Sequence, residues 1–362
     1  MNKQISAIAF VGAIISTTAN TASASEGAYP NISGEWLFET QLEHGFQSDD
    51  VDGERTNLFG RSEFVPTIEL NDNFSVDATV VLEPLQDSKA GNNTAFSQEG
   101  IFVEKFKMNY ENGPWGAFAG KFNPDFGKGW DWGRGVWGED FAEDYEVTQK
   151  IGFGGSYTLD TPNSGSHTFT ASTFYNDTTL LSESVLTRLD RVRQSDGGAG
   201  NTQDLSSYVL GLTGEDVAGI DDLTYQIGFR HLAAADNSAT GDDENGYTFG
   251  GGYVFPVSED VSMDALVEYV NIQNFEGATE DRQYIYANLV TNIYEDWNVT
   301  TGYTYRKTED IGLADVNDNL FQLTGGYDFG NGLTLEGGWR SSEEVGADTN
   351  IIGGLARYIL EF

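Results

Sequence analysis

Asn350-Ile351-Ile352-Gly353-Gly354-Leu355-Ala356-Arg357-Tyr358-Ile359-Leu360-Glu361-Phe362 closes the chain, and the fold is read from it outward. Tyr358, Leu360 and Phe362 share one parity, while Arg357 and Glu361 fall on the other. A period of two with one apolar side predicts a strand with one greasy face. The same alternation recurs in Trp36-Leu37-Phe38-Glu39-Thr40-Gln41-Leu42-Glu43, in Phe74-Ser75-Val76-Asp77-Ala78-Thr79-Val80, and from Phe321 to Phe329. In a soluble sandwich the apolar parity would face a core. In a membrane barrel it faces lipid, and the polar parity lines the lumen.

The connections choose between the two. Tight-turn residues (Gly, Asn, Asp, Pro) gather at Asn71-Asp72-Asn73, Asn112-Gly113-Pro114, 160–165, Ala218-Gly219-Ile220-Asp221, 256–260, Glu295-Asp296 and Gly330-Asn331-Gly332. Longer acidic segments lie between them, at about 44–56, 85–100, 123–144, 177–205, 236–246, 275–281, 309–317 and 342–348. Strict alternation of short and long links predicts an all-β transmembrane antiparallel barrel of about sixteen strands. Short turns then face the periplasm and long loops face outward, with both chain ends in the periplasm. A short helix is expected within 180–193, and no linker or second domain is evident.

Composition agrees with this class. Cysteine is absent, which excludes a disulfide scaffold and thiolate metal sites. With 57 acidic against 19 basic side chains, net charge −38, the chain has no electrostatic footprint for nucleic acid. Aromatics at 13% with 44 glycines argue for a folded β-protein with acids in its loops, rather than an acidic disordered chain. Met1-Asn2-Lys3, an apolar run from Ile5 to Ile15 and Ala22-Ser23-Ala24 read as a secretory signal cleaved after Ala24. The single barrel domain is then 25–362.

The terminal strand resembles the C-terminal signature of Gram-negative outer-membrane proteins, in which the last aromatic, here Phe362, forms part of the assembly signal. Gly120-Lys121-Phe122-Asn123-Pro124-Asp125-Phe126-Gly127 is similar to the point where porin families enter the third outer loop. In the sixteen-stranded general porins that loop folds into the lumen and sets the constriction. Phe102-Val103-Glu104 with Gly120-Lys121-Phe122 also resembles the phosphate-selective group. The resemblance implies a passive, water-filled porin in the cell outer membrane, with no cofactor. It further implies a homotrimer, outer-membrane lipid and lipopolysaccharide around it, the barrel assembly machinery as a partner, and small hydrophilic solutes as cargo. A channel selective for sugars or phosphate is the alternative.

Residues follow from that reading. The loop 123–144 is expected to fold inward after the fifth strand. Asp125, Asp131, Glu139 and Asp140 would form the acidic side of the constriction, and Trp130, Trp132 and Trp137 would pack between glycines. Arg61, Lys105, Lys107, Lys121, Arg340 and Arg357, with Arg306, alternate with apolar residues and would supply a basic wall opposite. A charge facing lipid near the midplane costs about 2–4 kcal/mol for Arg or Lys, so inward placement is expected for each. They could equally pair with lumen acids such as Glu35, Glu39, Glu63 and Asp77. Opposed rows would create a transverse field, and the acid excess a cation preference.

Other classes are weaker. His44, His167 and His231 form no recognisable triad, and no zinc spacing, phosphate loop or nucleophile elbow is present, so no enzyme is expected. Asp242-Asp243-Glu244 could bridge divalent cations to lipopolysaccharide in an adhesin, but it lacks the spacing of a calcium loop.

Overall fold

The computed structural model describes residues 29–86, 91–235, 241–294 and 296–362. The proposed signal segment 1–24 lies outside the described residues, as does Glu295. Sixteen long strands form one closed antiparallel sheet: β1 Asn31–Ser48, β2 Thr56–Glu69, β3 Phe74–Pro84, β4 Glu99–Asn112, β5 Trp115–Phe122, β6 Lys150–Thr161, β7 Gly165–Asn176 and β8 Ser207–Glu215. The second half comprises β9 Leu223–Leu232, β10 Glu244–Ser258, β11 Val261–Gln273, β12 Glu280–Ile293, β13 Trp297–Asp310, β14 Val316–Asp328, β15 Leu333–Glu344 and β16 Ala347–Glu361.

Each strand pairs with its sequence neighbour, and β16 closes the ring on β1 through Trp36 opposite Leu360 and Phe38 opposite Tyr358. Closure of β16 on β1 leaves the ring without end strands, so its backbone groups pair strand to strand instead of with water, as a membrane wall requires. Register fixes the two faces. Trp36, Phe38, Phe64, Val80, Phe106, Phe153, Phe249, Ile285 and Leu323 point outward, most of them well exposed. Glu39, Arg61, Glu63, Asp77 and Lys107 take the inner parity. At β4 a bulge between Val103 and Lys105 turns both Glu104 and Lys105 toward the lumen.

The seven short connections lie at 70–73, 113–114, 162–164, 216–222, 259–260, 294–296 and 329–332, all at the end where β1 begins and β16 finishes. There Gly34 and Phe362 exchange backbone hydrogen bonds of 3.0 Å, and the Phe362 ring stacks on Phe64 at 5.5 Å. The other end carries loops 49–55, 85–98, 123–149 and 177–206, then shorter links 233–243, 274–279 and 311–315.

Two expectations are corrected. The eighth long loop is a two-residue turn, because Val345 and Gly346 both take positive φ (51° and 78°) and the flanking strands run on to meet it. The helix expected in 180–193 is absent. That segment holds a single turn at Leu180–Ser182 and a two-residue strand, Val185–Leu186, because the edge of β4 at Gly100 and Ile101 offers its backbone a strand partner in place of helical bonds.

One strand is short. β5 ends at Phe122, while β4 continues outward from Phe106 to Glu99. The loop 177–206 (loop 4) covers the gap: Val185 and Leu186 pair with Ile101 and Gly100.

Candidate functional site

The chain leaves β5 at Phe122 and spends 123–149 (loop 3) inside the ring. Both stems are clipped together by Asn123, whose Nδ2 donates to Glu104 at 2.6 Å and whose Oδ1 accepts from the Gln149 N–H at 2.9 Å. Beyond them the loop crosses the lumen and returns. Glu268 of β11, fully buried, accepts from the backbone N–H groups of Lys128 (2.6 Å) and Gly129 (2.9 Å) and from the Tyr145 hydroxyl (2.8 Å). Gln322 of β14 donates to the Arg134 carbonyl at 2.8 Å and accepts from the Trp137 N–H at 3.1 Å. The Trp137 indole donates to Glu43 of β1 at 2.6 Å, with its ring against Gly353 of β16.

Ion pairs complete the fastening. Arg61 meets Glu139 at 3.2 Å, Arg340 grips Asp140, and Arg306 and Arg282 hold Asp144 at 2.7 and 3.5 Å. Arg230 of β9 donates to the Tyr145 carbonyl at 2.6 Å. Apolar packing lies underneath. Phe122, Phe126, Ala142, Tyr145 and Val147 join Phe174, Val270, Ile272 and Tyr284 of the inner wall in one buried cluster, and Val136 and Trp137 join Leu355 in another. The protein's core is therefore the seam between loop 3 and the barrel's inner face.

The expected basic wall is distributed differently. Arg61 and Arg340 touch loop 3 acids directly, so these charges are joined instead of facing each other across an open gap. Asp125 and Asp131 are matched within the loop by Lys128 at 2.9 and 3.5 Å, whose side chain is completely buried. Arg357 pairs with Glu39 along the wall, and Lys107 lies 3.8 Å from Asp77. Lys121 is a correction: it lies opposite Phe106 on the outward parity, whereas Phe118 and Phe122 point inward onto loop 3. It avoids lipid because loop 4 lies over it. Its Nζ reaches Asp177 at 2.7 Å, the Leu181 carbonyl at 2.9 Å and Gln149 at 3.1 Å, and both charged side chains are 1% exposed.

What remains solvated is the side toward β2–β4. Arg61, Glu83 and Lys105 keep 23%, 31% and 26% of their side-chain surface, and Glu143 on loop 3 is exposed toward the same space. Arg61 also stacks over Trp130, 5.3 Å from its ring centre. Beneath loop 3 opens a chamber of about 790 Å³ lined by Lys105, Lys107, Phe118, Trp130 and a hydroxyl row that includes Ser156 and Thr168. Glu143 has carboxylates for neighbours. Enclosure within the barrel, then the charges of Asp140, Glu139 and Glu83, push its pKa up to about 8.

Sequence reasoning missed Glu268, Gln322, Arg282 and Arg230 as anchors of loop 3. Their only signal is a polar side chain on the inner parity, which dozens of lumen residues share. The three histidines stand apart: His44 beside Thr56, His167 beside Tyr225 and His231 beside Asn245.

No family model and no curated protein matches the sequence. Solved structures share the fold. A loop-deletion mutant of OmpT, an outer membrane protein of Vibrio cholerae, superposes with TM-score 0.55 at 13% identity, over 92% of this chain and 100% of that one. The outer membrane channel DcaP of Acinetobacter baumannii gives 0.53 at 14%, over 93% and 99%. OpdK of Pseudomonas aeruginosa, solved with vanillate, gives 0.51 at 10%, over 92% and 99%. The fold is that of Gram-negative outer-membrane barrels.

Proposed function

We propose that this chain is an outer-membrane porin, a water-filled channel in which loop 3 narrows the passage for small hydrophilic solutes and ions. The observation that carries the reading is the fastening of loop 3 to β1, β2, β9 and β11–β16, which leaves a solvated, charged strip along β2–β4. A plug without function would need no charged, hydrated margin. A channel does, because ions crossing a low-dielectric region need polar groups in place of lost hydration.

Cation preference follows from which charges line the strip. Loop 3 acids 125, 131, 139 and 140 are matched by basic partners and Glu63 by Arg61, so the bias rests on Glu83, Glu104 and Glu146 beside Lys105, with Glu143 adding to it as it ionises. A selective channel for sugars or phosphate is the second reading, favoured by the chamber where Lys105 and Lys107 stand beside Phe118 and Trp130.

Reconstitution in planar bilayers tests both. Discrete ohmic steps with a cation-favouring reversal potential are expected. Absence of steps from folded protein would sink the porin reading, and block by phosphate or a sugar would favour the second.

A further inference from the structure

We propose that the inner face of β6–β8, one wall of the chamber beneath loop 3, is a binding site for ammonium-bearing sugars. The inference rests on the channel reading above and deepens its second form by naming the class of solute.

Register builds the site. Asp160 of β6 and Glu215 of β8 both lie opposite Ser166 of β7, so a hydroxyl stands between two carboxylates on one level of the wall. One level nearer loop 3 come Thr158, Thr168 and Thr213, and the next carries Ser156 beside Thr170. All of them line the chamber of about 790 Å³, a size within the range of small-molecule sites. Gly211 ends the third level, and a Cβ there would stand 3.5 Å from Asp125, so loop 3 roofs the wall at this height. Asp160 and Glu215, both exposed, border the short connections 162–164 and 216–222 and mark the chamber's mouth at that end of the barrel.

Chemistry selects the ligand. Thr158 and Thr168 bond each other at 2.9 Å, but the hydroxyls of Ser156, Ser166, Thr170 and Thr213 make no hydrogen bond among the described residues. Asp160 and Glu215 take part in no salt bridge among those residues. Two strand spacings, roughly 10 Å of backbone, separate them, too far to share one metal ion. A sugar's hydroxyls can pair with the free hydroxyls, and its ammonium groups with the carboxylates through charge-assisted hydrogen bonds. An anion would be repelled here, because the chamber's lysines, Lys105 and Lys107, already stand 4.0 and 3.8 Å from Glu104 and Asp77. A neutral sugar would displace water from the two carboxylates and offer no charge in return.

The test compares three probes on the full barrel: the chitosan dimer (two linked glucosamine rings), N,N′-diacetylchitobiose and 1,6-diaminohexane. Calorimetry in micelles measures binding, and interruption of single-channel current in planar bilayers measures block. The chitosan dimer should bind most tightly and should block more strongly when added at the side of the short turns. Asp160→Asn with Glu215→Gln should weaken its binding about a hundredfold, roughly tenfold for each charge-assisted hydrogen bond removed. Thr168→Val with Thr213→Val should bring it toward the hydroxyl-free diamine. Heat-modifiable migration in gels verifies that each variant is a folded barrel. Equal binding of the diacetylated sugar would make this a neutral-sugar site, and equal binding of the diamine a site for bare charge; either overturns the proposal. So would undiminished binding in the carboxylate variant. Conductance steps without binding of the chitosan dimer would remove this proposal and leave the porin reading, whereas binding by a barrel that never conducts would do the reverse.

Discussion

Lys121 and Arg61 both interrupt apolar alternation, yet the wall places them on opposite faces. Period two tells which residues share a face but not which face is wet. In β2 the parity of Leu58, Phe64 and Ile68 marks lipid, because the other parity holds Arg61 and Glu63. In β5 the inner face is roofed by loop 3, so Phe118 and Phe122 find a dry partner inside and the rule inverts. No local pattern reveals that inversion; it depends on a loop folded from beyond the strand. Glu143 supports a prediction at this scale. Its raised pKa means that it is neutral below about pH 8 and ionised above. Cation preference should therefore rise between pH 6 and 9, and Glu143→Gln should flatten the change, as read from reversal potentials in a salt gradient. An unaltered pH profile in the variant would assign the titration elsewhere. Gly353 supports another: a Cβ there would stand 2.7 Å from the Trp137 ring, so Gly353→Val should destabilise the barrel by roughly 1–3 kcal/mol through overpacking. Thermal unfolding of the purified protein measures it.

Strands and turns were the legible elements. Tight-turn residues and alternation are local, and they located all seven short connections and the order of the sixteen strands. Loop lengths were read less well, since polar residues at 342–348 look alike whether they form a loop or two strand ends joined by Val345 and Gly346. The anchors of loop 3 were illegible because each joins residues 78 to 200 positions apart. Loop 3 is fixed mainly by buried hydrogen bonds, and removing one partner leaves donors stranded at about 1–3 kcal/mol each. Glu268→Leu would strand the N–H groups of Lys128 and Gly129 and the Tyr145 hydroxyl, so open-channel current noise should increase while the barrel stays folded. Deleting 128–138 should raise single-channel conductance. Unchanged conductance in the deletion would mean that loop 3 does not bound the passage.

At the scale of the molecule, a ring is only as complete as its last joint. β16 meets β1 along thirteen residue pairs, with Phe362 beside Gly34 and Phe64. Phe362→Asp would put a carboxylate on the outward face at that joint, so the variant should reach the periplasm but fail to give heat-modifiable barrel in the membrane fraction. Normal membrane levels would remove the assembly role. Elsewhere the wall is less uniform. Most neighbouring strands are zipped by eight or more pairs, but beyond Phe122 the edge of β4 is held among the described residues by Glu99, Gly100 and Ile101 bonding to loop 4. Local opening follows the weakest hydrogen-bonded unit. On heating, the barrel should therefore not unravel from its ends but tear at one quadrant, letting solvent and acyl chains mix through the side before any strand has left the ring.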